Sequence, residues 1–229
     1  MCAHSIDYAT SAKELRALIL LFVSEKSQPT TRTGDSAPQF SIIPAMRVIG
    51  GIYRGRSLRT VAGLKVRPTS DRLRETLFNI LAPRISESAF LDVCAGSGAV
   101  GIEALSRGAQ AVTFIERNRD ACAVIRTNLS SLSINQDATI ISRDASLALK
   151  QLEQSGRKFD VVYFDPPYAS LIYDSVMKEL GSGNLLSTDA VVIVEHRIKT
   201  PPEPVYGRMR LVREVRQGES ALAFYQANH

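Results

Sequence analysis

From Phe90 onward, short apolar runs rich in β-branched and aromatic residues alternate with longer segments whose apolar positions recur at helical spacing. This pattern predicts strands at 90–94, 111–116, 139–143, 159–164 and 190–195, and helices at about 99–107, 118–131, 145–155 and 171–181. Such alternation implies α/β architecture, a mostly parallel sheet with helices on both faces. The end of the chain differs. Leu211–Arg216 and Leu222–Tyr225 flank the tight turn Gln217-Gly218-Glu219-Ser220, so an antiparallel hairpin closes a seven-stranded sheet.

Upstream the pattern is weaker. Tyr8, Ala12, Leu15, Ile19 and Phe22 predict a helix within 7–26, and Ser27–Gln39, rich in Ser, Thr and Pro, reads as a flexible linker. Residues 1–45 carry no identifiable chemistry and read either as a dispensable extension or as an artefact of start-site choice. Arg47–Ile49 and Tyr53–Val61 predict a hairpin around Gly50-Gly51, with further turns at Gly55 and Gly63. A helix then follows, with Thr69 or Ser70 as N-cap and Leu73, Leu77, Ile80 and Leu81 as its buried stripe. Three segments result: 1–45, a hairpin and helix over 46–84, and a main domain over 85–229.

The charge distribution adds a partner. Net charge is +5 over 229 residues, yet 1–45 hold four basic and four acidic groups, and 85–229 hold 15 against 17. Residues 46–84 hold nine basic groups against two acidic, a block of +7 in which arginine dominates. That is the electrostatic footprint expected for a phosphate backbone, with Arg47, Arg54, Arg56, Arg67, Arg72 and Arg74 as candidate contacts. The competing reading of Arg72 and Glu75, three apart on one helix face, is a plain surface ion pair.

Other classes recede. The apolar run Ala17–Val23 is too short to span a bilayer and follows Asp7 and Glu14, unlike a leader. Cys2, Cys94 and Cys122 are unpatterned and His4, His196 and His229 form no ligand spacing. The expectation is a cytoplasmic protein without disulfides, metal or membrane contact.

The candidate chemistry sits at strand ends. Leu91-Asp92-Val93-Cys94-Ala95-Gly96-Ser97-Gly98 combines a strand, a glycine turn and a helix start, and the run through Gly101 also matches a dinucleotide fingerprint. Asp92 opposes the dinucleotide reading, because its charge would crowd a pyrophosphate but attract an ammonium group. Glu116 ends the second strand, where a carboxylate can accept ribose hydroxyls. Asp144 ends the third and is placed either to accept from an adenine amine or to cap the next helix. Ala95, Arg117 and Ala145 adjoin these positions. The fourth strand closes in Asp165-Pro166-Pro167-Tyr168, a carboxylate, prolyl carbonyls and an aromatic ring at the edge where open α/β sheets bind ligands. An exocyclic base amine is a poor nucleophile; Asp165 and the Pro166 carbonyl could accept its N–H bonds while Tyr168 stacks on the base.

Asp165-Pro166-Pro167-Tyr168 resembles the motif of amino-group methyltransferases that use S-adenosyl-L-methionine. With Arg47-Val48-Ile49-Gly50-Gly51, Arg54-Gly55-Arg56, the run from Arg67 through Asn79, the glycine turn after Asp92, and Glu116, residues from Met46 to about Gln226 resemble the RsmD family. These are bacterial methyltransferases of a guanine N2 in 16S ribosomal RNA. The resemblance implies a Rossmann-like class I methyltransferase fold and S-adenosyl-L-methionine held around Asp92, Ala95, Gly96, Gly98, Glu116, Arg117, Asp144 and Ala145. It also implies direct transfer at Asp165, Pro166, Pro167 and Tyr168 in a monomer, on 16S RNA free or in an assembly intermediate. The four-residue motif is shared with adenine-N6 and cytosine-N4 enzymes, so the arginine block makes the family assignment. A non-catalytic RNA-binding assembly factor and a nicotinamide-dependent oxidoreductase are the rival readings.

Overall fold

The computed structural model describes residues 46–61, 71–166 and 172–227. The helix expected within 7–26, the linker, the turn at Gly63 and the caps Thr69 and Ser70 lie outside them. Residues Phe40–His229 form one compact unit.

In chain order the elements are β1 (Met46–Arg47), β2 (Ser57–Leu58), α1 (Asp71–Ile85), β3 (Ala89–Val93), α2 (Ala99–Ser106), β4 (Ala111–Ile115), α3 (Arg119–Ser131) and β5 (Ala138–Ile141). There follow α4 (Ala145–Gln154), β6 (Phe159–Phe164), α5 (Ile172–Ser182), β7 (Leu186–Arg197), β8 (Val205–Tyr206), β9 (Met209–Gln217) and β10 (Ser220–Ala227). The main sheet has the order β5-β4-β3-β6-β7-β10-β9-β8, parallel from β5 to β7 and antiparallel beyond. The chain leaves β3 toward β4 and β5, then returns to place β6 on the other side. That reversal opens a crevice at the carboxyl ends of β3 and β6.

Among the described residues the sheet therefore has eight strands rather than the expected seven. The additional one, β8, has two residues, too few for alternation to register in sequence. β7 begins at Leu186, four residues before the predicted start, because an irregularity interrupts its periodicity. Register with β6 jumps between Phe159↔Leu186 and Val161↔Val191, and Asp189 sits at φ 63°. The expected N-terminal hairpin exists, but only Met46↔Leu58 and Arg47↔Ser57 pair as strands. Its intervening residues are occupied by turns, with Gly51 and Gly55 at φ 75° and 82°.

Alternation along the strands divides the core into two layers. Phe90, Val161, Tyr163 and Ile193 share one cluster with Leu73, Leu77 and Phe78 of α1, Ile102 of α2 and Ile125 of α3. Leu91, Val162, Phe164, Val192 and Val194 share the other with Leu149 of α4 and Val176, Met177 and Leu180 of α5. Of the predicted α1 stripe, Leu73, Leu77 and Leu81 are buried and Ile80 is half-buried.

Met46, Val48 and Leu58 belong to the first layer, so the hairpin packs on the sheet's helical cover. What holds it there is polar. Glu103, fully buried in the otherwise apolar α2, accepts from the Ile49 and Gly50 backbone N–H groups at 2.7 Å each and from Arg107 Nε at 2.7 Å. Arg74 Nε approaches its other oxygen at 3.9 Å, while Arg74 Nη2 donates to the Arg47 carbonyl at 2.6 Å. A side chain on Gly50 would collide with the Arg107 guanidinium at 2.5 Å, and one on Gly51 with the Ser106 carbonyl at 1.7 Å. The two glycines thus allow the close approach that Glu103 requires. Asn128 of α3 completes the docking, bonding the Arg59 N–H and carbonyl at 2.8 and 3.0 Å.

Removing a carboxylate from a buried ionic network strands its partners without solvent. Glu103→Ala is expected to cost about 3–5 kcal/mol of unfolding free energy in urea melts. A loss below about 1 kcal/mol would show that the network does not anchor the hairpin.

Candidate active site

β3 ends at Val93 and the chain turns sharply into α2, with Cys94, Gly96 and Gly98 at φ 63°, 57° and 77°. Repeated left-handed conformations curl the backbone tightly, and glycine adopts them without steric cost. The turn is held from behind: Ala95 N–H donates to the Ile115 carbonyl at 3.1 Å and Gly96 N–H to Glu116 Oε2 at 2.9 Å. Its outer side is open at Gly96, where an added Cβ would meet nothing within 4 Å. Gly101 has another purpose. A Cβ there would strike the Phe114 ring at 2.3 Å, so this third glycine lets α2 lie against β4.

The carboxylates expected at the rim occupy the ends of four adjacent strands, in the order Asp144, Glu116, Asp92 and Asp165 across β5, β4, β3 and β6. Their surroundings differ. Asp92, only 2% exposed, lies beneath the turn and accepts from the Gly101 N–H at 2.9 Å. Burial, and then the Glu116 charge, raise its pKa to about 7 against the opposing pull of that N–H. Glu116 is half-buried and spans the turn, accepting from Gly96 with Oε2 and from Asn118 N–H with Oε1 at 2.8 Å. Asp144 caps α4, its Oδ1 accepting from Ser146 N–H at 3.0 Å. Ala145 is buried behind it, and Arg117 is exposed beside Glu116.

Asp165 follows β6 and is anchored by its own N–H to the Val93 carbonyl at 3.3 Å, directly beside the glycine turn. Burial, and then the charges of Glu195 and Asp92, push its carboxyl well above the ordinary range. Pro166 is buried next to it, whereas Pro167 and Tyr168 fall outside the described residues. The Cys94 thiol reports the clustering: burial and then Glu116, Asp165 and Asp92 all raise its pKa, so it stays a neutral packing group. Asp92, Glu116 and Asp165 therefore share one electrostatic environment.

The arginine block divides. Arg47, Arg54, Arg56, Arg59 and Arg72 are exposed, and Ile52, 79% exposed, projects among them. Arg74 does not belong with them. Expected at the surface, it is fully buried, bound to Arg47 and Asp71 and paired with Glu103, because its position in α1 faces the core. Arg67 lies outside the described residues. Among those residues no group of three or more His, Cys, Asp or Glu could hold a metal ion, and no helix is long and apolar enough to cross a membrane.

Sequence reasoning passed over Glu103, Asn128 and the pair Tyr163–Glu195. A lone carboxylate inside Ala99-Val100-Gly101-Ile102-Glu103-Ala104-Leu105 was a usable signal for the first. Glu195, closing the apolar run Ala190–Val194, was one for the last.

A glycine turn at the switch point, acidic strand ends and a terminal antiparallel hairpin define the Rossmann-like methyltransferase class. Residues 46–226 match the family described as Conserved hypothetical protein 95. Ribosomal RNA small subunit methyltransferase D of Escherichia coli K12 is 36% identical over 189 residues, covering 82% of this chain and 93% of that protein. Its Haemophilus influenzae counterpart is 35% identical over 181 residues, 79% of this chain and 93% of that one. The solved Escherichia coli structure of yhhF superposes with a TM-score of 0.69 at 36% identity, covering 80% of this chain and 97% of that one. The chain belongs to this family, the RsmD family.

Asp92 provides a thermodynamic test. Its native pKa lies above the ordinary 3.8, so the folded state binds the extra proton and is favoured at low pH. That contribution is complete below about pH 4 and is lost as pH rises through about 7. Asp92→Asn keeps an oxygen for Gly101 without the charge. It should shrink the stability difference between pH 5 and pH 8 by on the order of a few kcal/mol in denaturant titrations. An unaltered difference would remove Asp92 as its source.

Proposed function

We propose that the protein transfers a methyl group from S-adenosyl-L-methionine to the exocyclic N2 amine of a guanosine in 16S ribosomal RNA. The observation that supports this reading is the hydrogen bond from the Asp165 N–H to the Val93 carbonyl, which ties the start of Asp165-Pro166 to the strand end from which the glycine turn leaves. Family membership and the relatives' action on small-subunit ribosomal RNA support the substrate class.

The residues present suit such a methyl donor. Gly96 leaves the turn open, Glu116 offers carboxylate oxygens to vicinal hydroxyls, and Asp144 offers one to an adenine amine. Asp92 acts from behind, stiffening the turn through Gly101. When bound, the donor supplies an electrophilic methyl carbon on a sulfonium, so the protein's share is positioning and charge placement. Asp165 and the Pro166 carbonyl accept the N–H bonds of the amine and aim its lone pair. Turning the base out of its stack costs a few kcal/mol, for which Tyr168 supplies a stacking face.

The exposed Arg47, Arg54, Arg56 and Arg72 serve as phosphate contacts. Because Glu103 fixes the hairpin to α2, the hairpin cations Arg47, Arg54 and Arg56 stay in register with the turn.

Asp165→Ala is expected to abolish methylation of RNA from a strain lacking the enzyme while leaving the affinity for S-adenosylhomocysteine within about threefold. Lost affinity instead would make Asp165 a donor-binding residue, and nucleoside mass spectrometry that finds N6-methyladenosine would overturn the guanine assignment. Replacing Arg54 and Arg56 with Ala should lower the salt slope of RNA binding by about one unit per lost phosphate contact. An unchanged slope would exclude both from the interface.

A further inference from the structure

A fifth carboxylate adjoins the proposed transfer site. β6 and β7 run parallel with Phe164 opposite Val194, so the next residues, Asp165 and Glu195, are neighbours across the sheet. Tyr163 and Ile193 point into the core layer of α1 and α2, and by alternation Asp165 and Glu195 take the same side. Glu195 is 3% exposed and Tyr163 1%. The Tyr163 hydroxyl donates to Glu195 Oε2 at 2.7 Å, both groups buried.

A buried carboxylate placed at a reaction centre is costly unless its charge is used or compensated. Two neighbouring carboxylates in a dry site resist ionising together, and a hydrogen bond from a hydroxyl favours charge on the one that receives it. Here the receiving member is Glu195, held in place by the Tyr163 hydroxyl, and Asp165 is the member that adjoins the Val93 end of the glycine turn. After burial, the Glu195 charge is the largest cause of the raised Asp165 pKa, ahead of Asp92.

We propose that Glu195, oriented by Tyr163, is a positioning residue for methyl transfer: its charge makes Asp165 the acceptor of the proton that the substrate amine must lose. This rests on the reading of Asp165 given above. The step balances. The amine lone pair forms the new N–C bond, the methyl–sulfur bond breaks with its electrons kept by sulfur, and one N–H proton passes to the Asp165 carboxylate. Positive charge on the donor and negative charge on Asp165 disappear together.

Among the described residues, the other charged groups around Asp165 come from three packed elements. β3 contributes Asp92, and Glu116 and Arg117 follow β4 and act on the intervening Cys94. From α1 comes Arg74, whose charge acts on Tyr163 and is shared with Glu103 and Asp71. None of these lies beside Asp165 in the strand register as Glu195 does.

The test uses the full-length protein with carboxyl-labelled aspartate and two readouts. In cofactor-free protein, the Asp165 carboxyl is titrated by carbon NMR, its signal assigned by its loss in Asp165→Ala. With substrates present, kcat is followed against pH. Glu195→Gln should lower the Asp165 midpoint by about one unit or more. It should move the acidic limb of kcat in the same direction and reduce the plateau by about tenfold to a hundredfold, with KM for RNA and S-adenosylhomocysteine affinity within about twofold. Tyr163→Phe should produce the same shift to a smaller extent, and Glu195→Asp, which restores the charge, should recover most of the midpoint. Should Glu195→Gln fail to fold, the Tyr163→Phe and Glu195→Asp pair carries the test. An Asp165 midpoint that is the same in wild type, Glu195→Gln and Tyr163→Phe, with Asp165→Ala inactive, overturns the role of Glu195 alone. Undiminished methylation by Asp165→Ala overturns the reading beneath it, and the present inference with it.

Discussion

The buried Glu103 carboxylate is the constraint on which the arrangement depends. It receives two backbone N–H groups from the N-terminal hairpin, a hydrogen bond from Arg107 and the nearby charge of Arg74. Such a charge is tolerable without water only when its oxygens are occupied, and here both are. The same helix receives Asp92 at Gly101, two residues before Glu103. One short element of eight residues therefore holds the arginine-bearing hairpin at one end and the glycine turn at the other. In the proposed reaction the RNA arm and the methyl-donor loop need a fixed distance, and α2 supplies it.

The rim shows a gradation of similar groups by environment. Asp144 is a half-buried helix cap, Glu116 a half-buried strut across the turn, and Asp92 a buried brace whose proton affinity is raised. Asp165 has its proton affinity raised by burial and then by the charges of Glu195 and Asp92. A region so rich in carboxylates would repel a pyrophosphate and suits a cationic ligand, which separates it from a nicotinamide site despite the shared glycine pattern. The third glycine of that pattern, Gly101, packs on Phe114, so the motif is partly a packing requirement.

Among the described residues, the arginine block also proves to be two things. Arg47, Arg54, Arg56, Arg59 and Arg72 are exposed, whereas Arg74 is a fully buried cation beside Glu103. Charge counting along a chain cannot make this distinction, because net charge has no direction. Helical phase comes closer: Arg74 follows the buried Leu73 and precedes Leu77 and Phe78 by three and four positions, a spacing that shares their face.

Local pattern alone determined the order of strands and helices from β3 onward, the glycine turn, the acidic strand ends and the terminal hairpin. Each is written in a few consecutive residues whose periodicity, left-handed turns or prolines leave little conformational choice. Only the tertiary structure decided what those residues face. It buried Arg74 and Glu103 together, used one oxygen of Asp144 to cap α4, bonded Tyr163 to Glu195 on the strand next to the one that leads into Asp165, and added the two-residue β8 at the sheet edge. These outcomes arise from contacts between residues far apart in the chain, and the energy of a buried charge is set by the partners that reach it, which no local spacing encodes.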